Sequence, residues 1–255
     1  MEEDYGMRSI KLSSLGAVGV LAALCVTSLQ ASPLAGTFNI AGTMTVTVNT
    51  INWKANETPF SPDLARIGPG STGSFAGLDG STITISDLSS ATAPVGTPFP
   101  DVPFITFSAA PLFPALDINY IYKGIYSNAN CGTLPATVAQ NCTINPPNSP
   151  FNFVNNPPPA PTGPQATATF VFTGETADHL SFFYANFTSQ FNVPFQTVLQ
   201  AFGPGGSGQV TNTYSATVTV VPLPEPGALT LTGCGMGFVL ISLAIRRRRT
   251  ADRYM

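Results

Sequence analysis

The sequence predicts an all-β protein: an antiparallel β-sandwich or jelly-roll body, preceded by a signal-peptide helix and followed by one transmembrane helix. Through most of the body, apolar residues alternate with Thr, Ser or Asn, which is the period of a strand with one buried face. The 24 Pro and 23 Gly interrupt this pattern at short intervals, as turns between strands do. An uncharged apolar stretch lies near each end of the chain.

Composition and charge exclude two classes of protein. Charged residues make up 9 % of the chain and hydrophobic residues 44 %, which is unlike a charge-driven disordered protein. Between residues 32 and 226, three basic residues stand against nine acidic ones, a net charge of −6. A body this acidic is a poor partner for nucleic acid.

Residues 1–31 have the pattern of a secretory signal peptide. Arg8 and Lys11 precede an apolar run at residues 15–26, and small residues follow up to Ala31. Cleavage is expected after Ala31. The three acids among the first six residues do not suit such a signal, so Met7 is the expected natural start.

The strands of the body, residues 32–221, are predicted in chain order from the alternating pattern. They cover residues 37–51 with a bulge or bend at Gly42, then 81–88, 104–107, 116–122, 166–173, 179–188, 197–202 and 210–221. Residues 56–80 and 145–165 are rich in Pro and Gly and are predicted to be loops, the second exposed and extended. Because no long stretch has helical periodicity, a sandwich is the expected architecture.

Cys131 and Cys142 are predicted to form a disulfide. They flank a polar segment, and an exported protein passes through an oxidising compartment. Such a short loop contributes roughly 2–3 kcal/mol by the chain-entropy argument. A metal site is the weaker alternative, since the chain has no Cys-x-x-Cys motif and a single histidine.

Residues 222–255 combine three features of a processing and membrane segment. Prolines end the last strand, residues 228–245 carry no charge, and four arginines follow: Arg246, Arg247, Arg248 and Arg249. Eighteen uncharged, mostly apolar residues are near the lower limit for crossing a bilayer. Arginines that stay on the cytoplasmic side would leave the body outside.

The motif Pro224, Glu225 and Pro226, followed by one apolar helix and a terminal arginine cluster, resembles the PEP-CTERM sorting signal. The resemblance covers residues 221–249, and the N-terminal signal peptide belongs to the same pattern. It implies export from a bacterium and recognition by an exosortase, a membrane enzyme associated with cleavage near the Pro-Glu-Pro motif. Glu225 would then be a recognition group, and extracellular polysaccharide a possible partner. Six residues follow the arginines, a slightly longer tail than usual.

The body offers few residues for catalysis. No Gly-x-Ser-x-Gly motif accompanies His179, which lies beside Asp178 and is interpreted as a polar turn residue. Asp63, Asp79 and Asp101 occur in turn-like sequences, where Asp is common. Calcium at such turns is the alternative, although no Asp-x-Asp-x-Asp motif is present. No enzyme activity and no cofactor are therefore expected.

Three hypotheses for the body follow. The first is a non-catalytic protein of the cell envelope or extracellular matrix, either anchored by the C-terminal helix or released after processing. The second is a carbohydrate-binding module that uses Trp53, Tyr120, Tyr122 and Tyr126 as an aromatic platform, with core packing as the simpler role for these residues. The third is a hydrolase with a carboxylate pair in a cleft.

Overall fold

The structure is a computed structural model that describes residues 32–54, 64–145, 148–157, 165–224 and 236. Pro33–Leu223 form one compact unit, the body, and both ends of the chain are assigned to a second unit. The helices predicted in residues 1–31 and 228–245 lie outside the described residues, apart from Met236. No helix in the described part of the chain has the length and apolar character needed to cross a membrane.

The body is built from strands, twelve of them within the described residues. In chain order they are β1 (Gly36–Thr47), β2 (Thr50–Lys54), β3 (Leu64–Ile67), β4 (Thr82–Ile85), β5 (Leu88–Ser89), β6 (Val102–Phe107), β7 (Leu116–Ile121), β8 (Asn141–Cys142), β9 (Asn152–Asn155), β10 (Ala166–Thr176), β11 (Ser181–Phe191) and β12 (Gln209–Pro222). A short helix, α1 (Phe195–Leu199), and two 3-10 turns, Gly73–Phe75 and Gln200–Phe202, complete the described elements. The prediction of an all-β body is confirmed.

Eight of the strands pair in a closed, antiparallel ring. The order is β10, β11, β12, β1, β3, β4, β6, β7 and back to β10. The antiparallel prediction is confirmed, but the sheet closes on itself and does not divide into the two facing sheets of a sandwich. The reason is that β10 pairs with β11 on one side and β7 on the other, so the ring has no free edge at this point.

At one end of the ring, two long strands change partners. β1 pairs with β3 at Ile40 and Ala41, then with β2 over residues 43–46. β10 pairs with β7 over residues 172–176, whereas residues 166–169 pair with β9. The sheet therefore splits at this end into two flaps, the β2–β5 flap and the β8–β9 flap.

The interior of the ring is filled by inward-facing apolar side chains. Along β12, for example, Tyr214, Ala216, Val218 and Val220 alternate with exposed or half-exposed residues and are all buried. Trp53 is fully buried at the centre of a group of aromatic rings. Its ring centroid lies 4.9 Å from that of Tyr214, and its other ring neighbours are Phe104, Phe170, Phe172 and Phe187. This aromatic core holds the strands of the ring together.

The bulge or bend predicted at Gly42 is wrong. Gly42 lies inside the continuous strand β1, and the chain turns later, at Val48 and Asn49. Gly42 is opposite Tyr214 in the sheet register, and a Cβ at this position would lie 2.8 Å from the Tyr214 hydroxyl oxygen. The glycine therefore makes room for an inward-facing tyrosine ring.

Three other local predictions are also wrong. The strand predicted at residues 197–202 is helical, because α1 follows Pro194 and buries Phe195 and Val198 on one face. The loop predicted at residues 145–165 contains β9, where Phe153 is buried and pairs with Ala168. The predicted loop 56–80 likewise contains β3, which completes the ring between β1 and β4.

Candidate functional site

The predicted sorting motif begins where the folded body ends. After β12 ends, the Leu223 N–H donates a hydrogen bond to the Leu180 carbonyl, 2.8 Å away, and Pro224 is exposed. The remaining residues of the motif and the basic cluster lie outside the described residues: Glu225, Pro226, Arg246, Arg247, Arg248 and Arg249.

The two ends of the body lie side by side. Gly36, at the start of β1, is in register with Val220, near the end of β12. Residues 32 and 224 therefore join the body at the same end of the ring. The flaps are at the other end, about 36 Å away along the twelve residues of β1.

The predicted disulfide between Cys131 and Cys142 is confirmed, with a Cα–Cα distance of 5.2 Å. Cys142 is the second residue of β8 and is fully buried, so the bond ties an irregular loop to the β8–β9 flap. A small second core lies beneath it, where Phe153, Phe195 and Val198 pack together.

Buried amide side chains fix this loop against α1. The Asn155 Nδ2 donates to Gln196 Oε1 at 3.0 Å, and Gln196 Nε2 donates to Gln140 Oε1 at 2.8 Å. The Phe195 N–H at the start of α1 donates to Asn155 Oδ1 at 3.0 Å. These groups are neutral, so the network holds the loop in place and supplies no acid or base.

Removing the disulfide is expected to destabilise the body by about 2–3 kcal/mol, because the reduced unfolded chain gains the freedom of the opened loop. Urea unfolding of Cys131→Ser/Cys142→Ser should therefore show a lower midpoint than the wild type. Adding a thiol reductant to the wild type should lower its midpoint equally and leave the variant unchanged. A variant as stable as the oxidised wild type would contradict a stabilising role for this bond.

The proposed aromatic platform does not form as predicted. Trp53 is in the core, which corrects its assignment as an exposed sugar contact; its alternating position on β2 turns it inward. Tyr120 and Tyr122 do lie together on the outer face, with ring centroids 4.9 Å apart. Tyr184, which the sequence does not single out, is 41 % exposed. It lies near Tyr120, because both tyrosines are register partners of Thr173 on the neighbouring strands. Tyr126 follows β7 in a loop.

His179 lies in the tight turn between β10 and β11, as predicted for a polar turn residue. Its φ is +55°, and its Nδ1 is 3.0 Å from Glu175 Oε2. The hydrogen bond to the Glu175 carboxylate raises the pKa of His179 above its ordinary value. Asp117 is the register partner of Glu175, and its partial burial, with the charge of Asp101, raises its pKa despite the opposing effect of His179. This cluster lies on the outer face of the ring.

Raising the pH is expected to remove the stabilisation that His179 contributes. Because the folded-state pKa is raised, the contribution is complete below about pH 6.5 and is lost as the pH rises through the folded-state value. His179 is the only histidine, so His179→Gln isolates its effect. The urea midpoint of the wild type should fall more than that of the variant between about pH 6 and pH 8.5. Equal decreases in both proteins would contradict a stabilising contribution from protonated His179.

The turn acids that the structure describes accept hydrogen bonds from the chain around them. Asp79 accepts from the backbone N–H groups of Gly70 and Ser71, and Asp87 accepts from the Trp53 N–H. Asp101 accepts from Asn119 Nδ2, whereas Asp63 is outside the described residues. No group of three His, Cys, Asp or Glu side chains arranged to hold a metal occurs in the described ranges.

A cleft of about 500 Å³ lies at the flap end of the ring and is here called the flap cleft. Its walls come from the end of β1, the segment after β5, the loop between β8 and β9, and the neighbouring ends of β10, β11 and β12. Its apolar lining residues are Met44, Val46, Val48, Pro94, Val95, Ile144, Pro150, Phe151, Phe153, Ala168, Phe191, Val198, Phe202 and Val210. Its volume is in the range of small-molecule sites, about 300–1,000 Å³.

The polar groups that the described residues contribute to the flap cleft are all uncharged. They are Thr47, Asn49, Ser90, Asn145, Asn148, Ser149 and Asn212. Asn145 and Asn148 are exposed at the opening, whereas Met44 and Ala168 are buried. This arrangement suits apolar contact and neutral hydrogen bonds, and the lining residues that the structure describes supply no acid, base or charged nucleophile.

The flap cleft could not be predicted from the sequence. Its walls come from segments that lie up to 168 residues apart, between Met44 and Asn212. Several of these residues follow the same alternating pattern as ordinary core positions. The one available signal is the uncharged, Pro- and Asn-rich sequence at the start of the exposed loop predicted at residues 145–165.

The sequence matches no protein-family model, and neither curated proteins nor solved structures give a significant match.

Proposed function

We propose that this chain is an exported, exosortase-sorted protein of the cell envelope or extracellular matrix, with a non-catalytic body. The signal peptide at residues 1–31 directs export through the secretion machinery. The segment 222–255 is the sorting signal, with its transmembrane helix at residues 228–245 and the arginines on the cytoplasmic side. The body either remains anchored outside the cytoplasm or is released after cleavage near Pro224, Glu225 and Pro226.

The observation that carries this proposal is the match between the folded unit and the two expected cleavage positions. The compact unit begins at Pro33, two residues after Ala31, and ends at Leu223, one residue before the Pro-Glu-Pro motif. Cuts at these positions leave the described strands of the ring intact, since β1 begins at Gly36 and β12 ends at Pro222. An oxidised Cys131–Cys142 pair also fits an exported protein.

Replacing Pro224, Glu225 and Pro226 by alanine tests the sorting step. In an exosortase-bearing bacterial host, the variant should keep its C-terminal segment, while the wild type loses it. Pro204→Ala, in an exposed turn of the body, serves as the matched control and should be processed normally. Intact-mass measurement of the exported protein gives the result. Identical masses for the wild type and the alanine variant would contradict recognition of this motif.

A carbohydrate-binding body is the second candidate, supported by the outer-face tyrosines. Tyr120 and Tyr184 lie on either side of Thr173, which is only 4 % exposed although it faces outward by alternation. A shallow aromatic surface of this kind suits stacking against sugar rings. Tyr184→Ala should weaken retention on extracellular polysaccharide without lowering the urea midpoint. Unchanged retention would remove this candidate.

A further inference from the structure

The flap cleft has the chemistry of a ligand site that neither the export proposal nor the aromatic surface uses. We propose that it binds a neutral, single-chain lipid whose polar end is a hydroxyl group. The inference concerns the body alone and does not rest on the sorting proposal. It is argued from the charge, shape and hydrogen-bonding groups of the lining.

The lining excludes a charged ligand group. All the described residues that line the flap cleft are uncharged, so an ion in it would lose its water without gaining a counter-charge from them. The phenylalanines Phe151, Phe153, Phe191 and Phe202 line the cleft together with aliphatic side chains. Such walls stabilise hydrocarbon in proportion to the area that is removed from water.

The shape favours an elongated chain. A second cavity of about 50 Å³ shares Val46, Val95 and Phe151 with the flap cleft and is lined also by Leu88 and Ile121. Because they share these residues, the two cavities are neighbours at the β2–β5 flap. A flexible aliphatic chain can occupy both cavities, whereas a compact ring system would fill only the larger one.

The polar groups at the cleft select the end of the ligand. The Asn212 Nδ2 already donates to Ser189 Oγ at 2.9 Å and to the Gln190 carbonyl at 2.7 Å. Its Oδ1 is therefore the group left to bind a ligand, and it accepts a hydrogen bond from a hydroxyl. Asn145 and Asn148 add neutral amide groups at the opening. A carboxylate or a quaternary ammonium group would find no opposite charge among these residues.

The position of the cleft is compatible with access to a ligand. The residues that join the body to the two ends of the chain are at Gly36 and Val220, and the cleft is at the opposite ends of β1 and β12. A body that is attached through either end would therefore keep the opening away from the attachment point.

Photo-crosslinking of the full chain tests the proposal. The full chain would be held in zwitterionic phospholipid nanodiscs and exposed to tetradecanol that carries a diazirine on its chain. Tetradecanoate with the same diazirine is the matched probe, because only the charge of its end differs. We expect saturable labelling of peptides from residues 44–49 and 144–153 by the alcohol, and labelling weaker by about tenfold or more by the carboxylate at neutral pH.

Two variants link the labelling to the cleft. Val210→Phe fills the cleft and should abolish saturable labelling, whereas Val221→Phe, on the exposed part of the same strand, should not. Val46→Lys places a cation in the wall and should reverse the preference, so that tetradecanoate labels more strongly than the alcohol. Trp53 is the only tryptophan and pairs with the cleft residue Met44, so an unchanged emission spectrum shows that each variant is folded.

Several results would overturn the proposal. Labelling confined to residues 228–245 would show that the alcohol reaches only that segment of the chain, and peptide-to-peptide crosslinks at the cleft would show a protein occupant. Equal labelling by the alcohol and the carboxylate would contradict selection by charge. Folded Val210→Phe protein that is labelled like the wild type would show that the ligand binds elsewhere.

Discussion

Gly174→Ala is expected to lower the free energy of unfolding by about 3 kcal/mol or more. A Cβ at this position would overlap the Asp117 carbonyl oxygen and would lie 2.7 Å from a ring carbon of Phe183. Asp117 is on β7 and Phe183 is on β11, the two strands that flank β10. The pairing register between β10 and β7 also shifts between Thr173 and Gly174, so the glycine lies at an irregularity in this strand pair. The added methyl group would therefore separate strands that close the ring.

Urea unfolding, followed by far-UV circular dichroism, measures this effect. Gly132→Ala is the matched control, because a Cβ at Gly132 meets no atom within 4 Å. The control should unfold within about 0.5 kcal/mol of the wild type. If Gly174→Ala and Gly132→Ala unfolded at the same urea concentration, the close contact between β7 and β10 would be contradicted.

Trp53→Ala is expected to destabilise the protein by about 3–5 kcal/mol. The indole is fully buried and contacts five aromatic rings, so its removal leaves a cavity at the centre of the ring of strands. Trp53→Phe keeps part of this packing and should lose substantially less stability. Tyr122→Ala, at a position that is 45 % exposed, should change stability by no more than about 0.5 kcal/mol.

The same variants separate a core role from a sugar-binding role for Trp53. Because Trp53 is buried, Trp53→Ala should lower the stability of the protein without removing a contact to a ligand. The folded fraction of the variant should still be retained by any polysaccharide that the wild type binds. A Trp53→Ala protein with normal stability and lost polysaccharide binding would contradict the buried position.

The local strand pattern could be predicted, whereas the closure of the sheet could not. Along β12, alternation marks Tyr214, Ala216, Val218 and Val220 as inward-facing, since a strand with one buried face has a period of two. The same alternation occurs in a sandwich and in a closed ring. The difference depends on β10 pairing with both β11 and β7, and no local sequence feature specifies which distant strands pair.

The functional residues also differ in whether local sequence predicts them. The signals at the two ends consist of contiguous motifs, so the sequence predicts them directly. The disulfide could also be predicted, because Cys131 and Cys142 are close in sequence and no other cysteine lies in the body. The flap cleft depends on β1 and β10 changing partners at one end, which brings segments far apart in sequence together. The sequence alone leaves the role of Trp53 open, because an aromatic residue suits either the core or an exposed platform.

Intact-mass analysis of the protein recovered outside the cytoplasm of an exosortase-bearing host tests the export and sorting proposal most directly. The predicted species begins at Ser32, has an oxidised Cys131–Cys142 pair and ends near Pro224. A chain that stays in the cytoplasm with residues 7–31 still attached and both cysteines reduced would contradict the proposal.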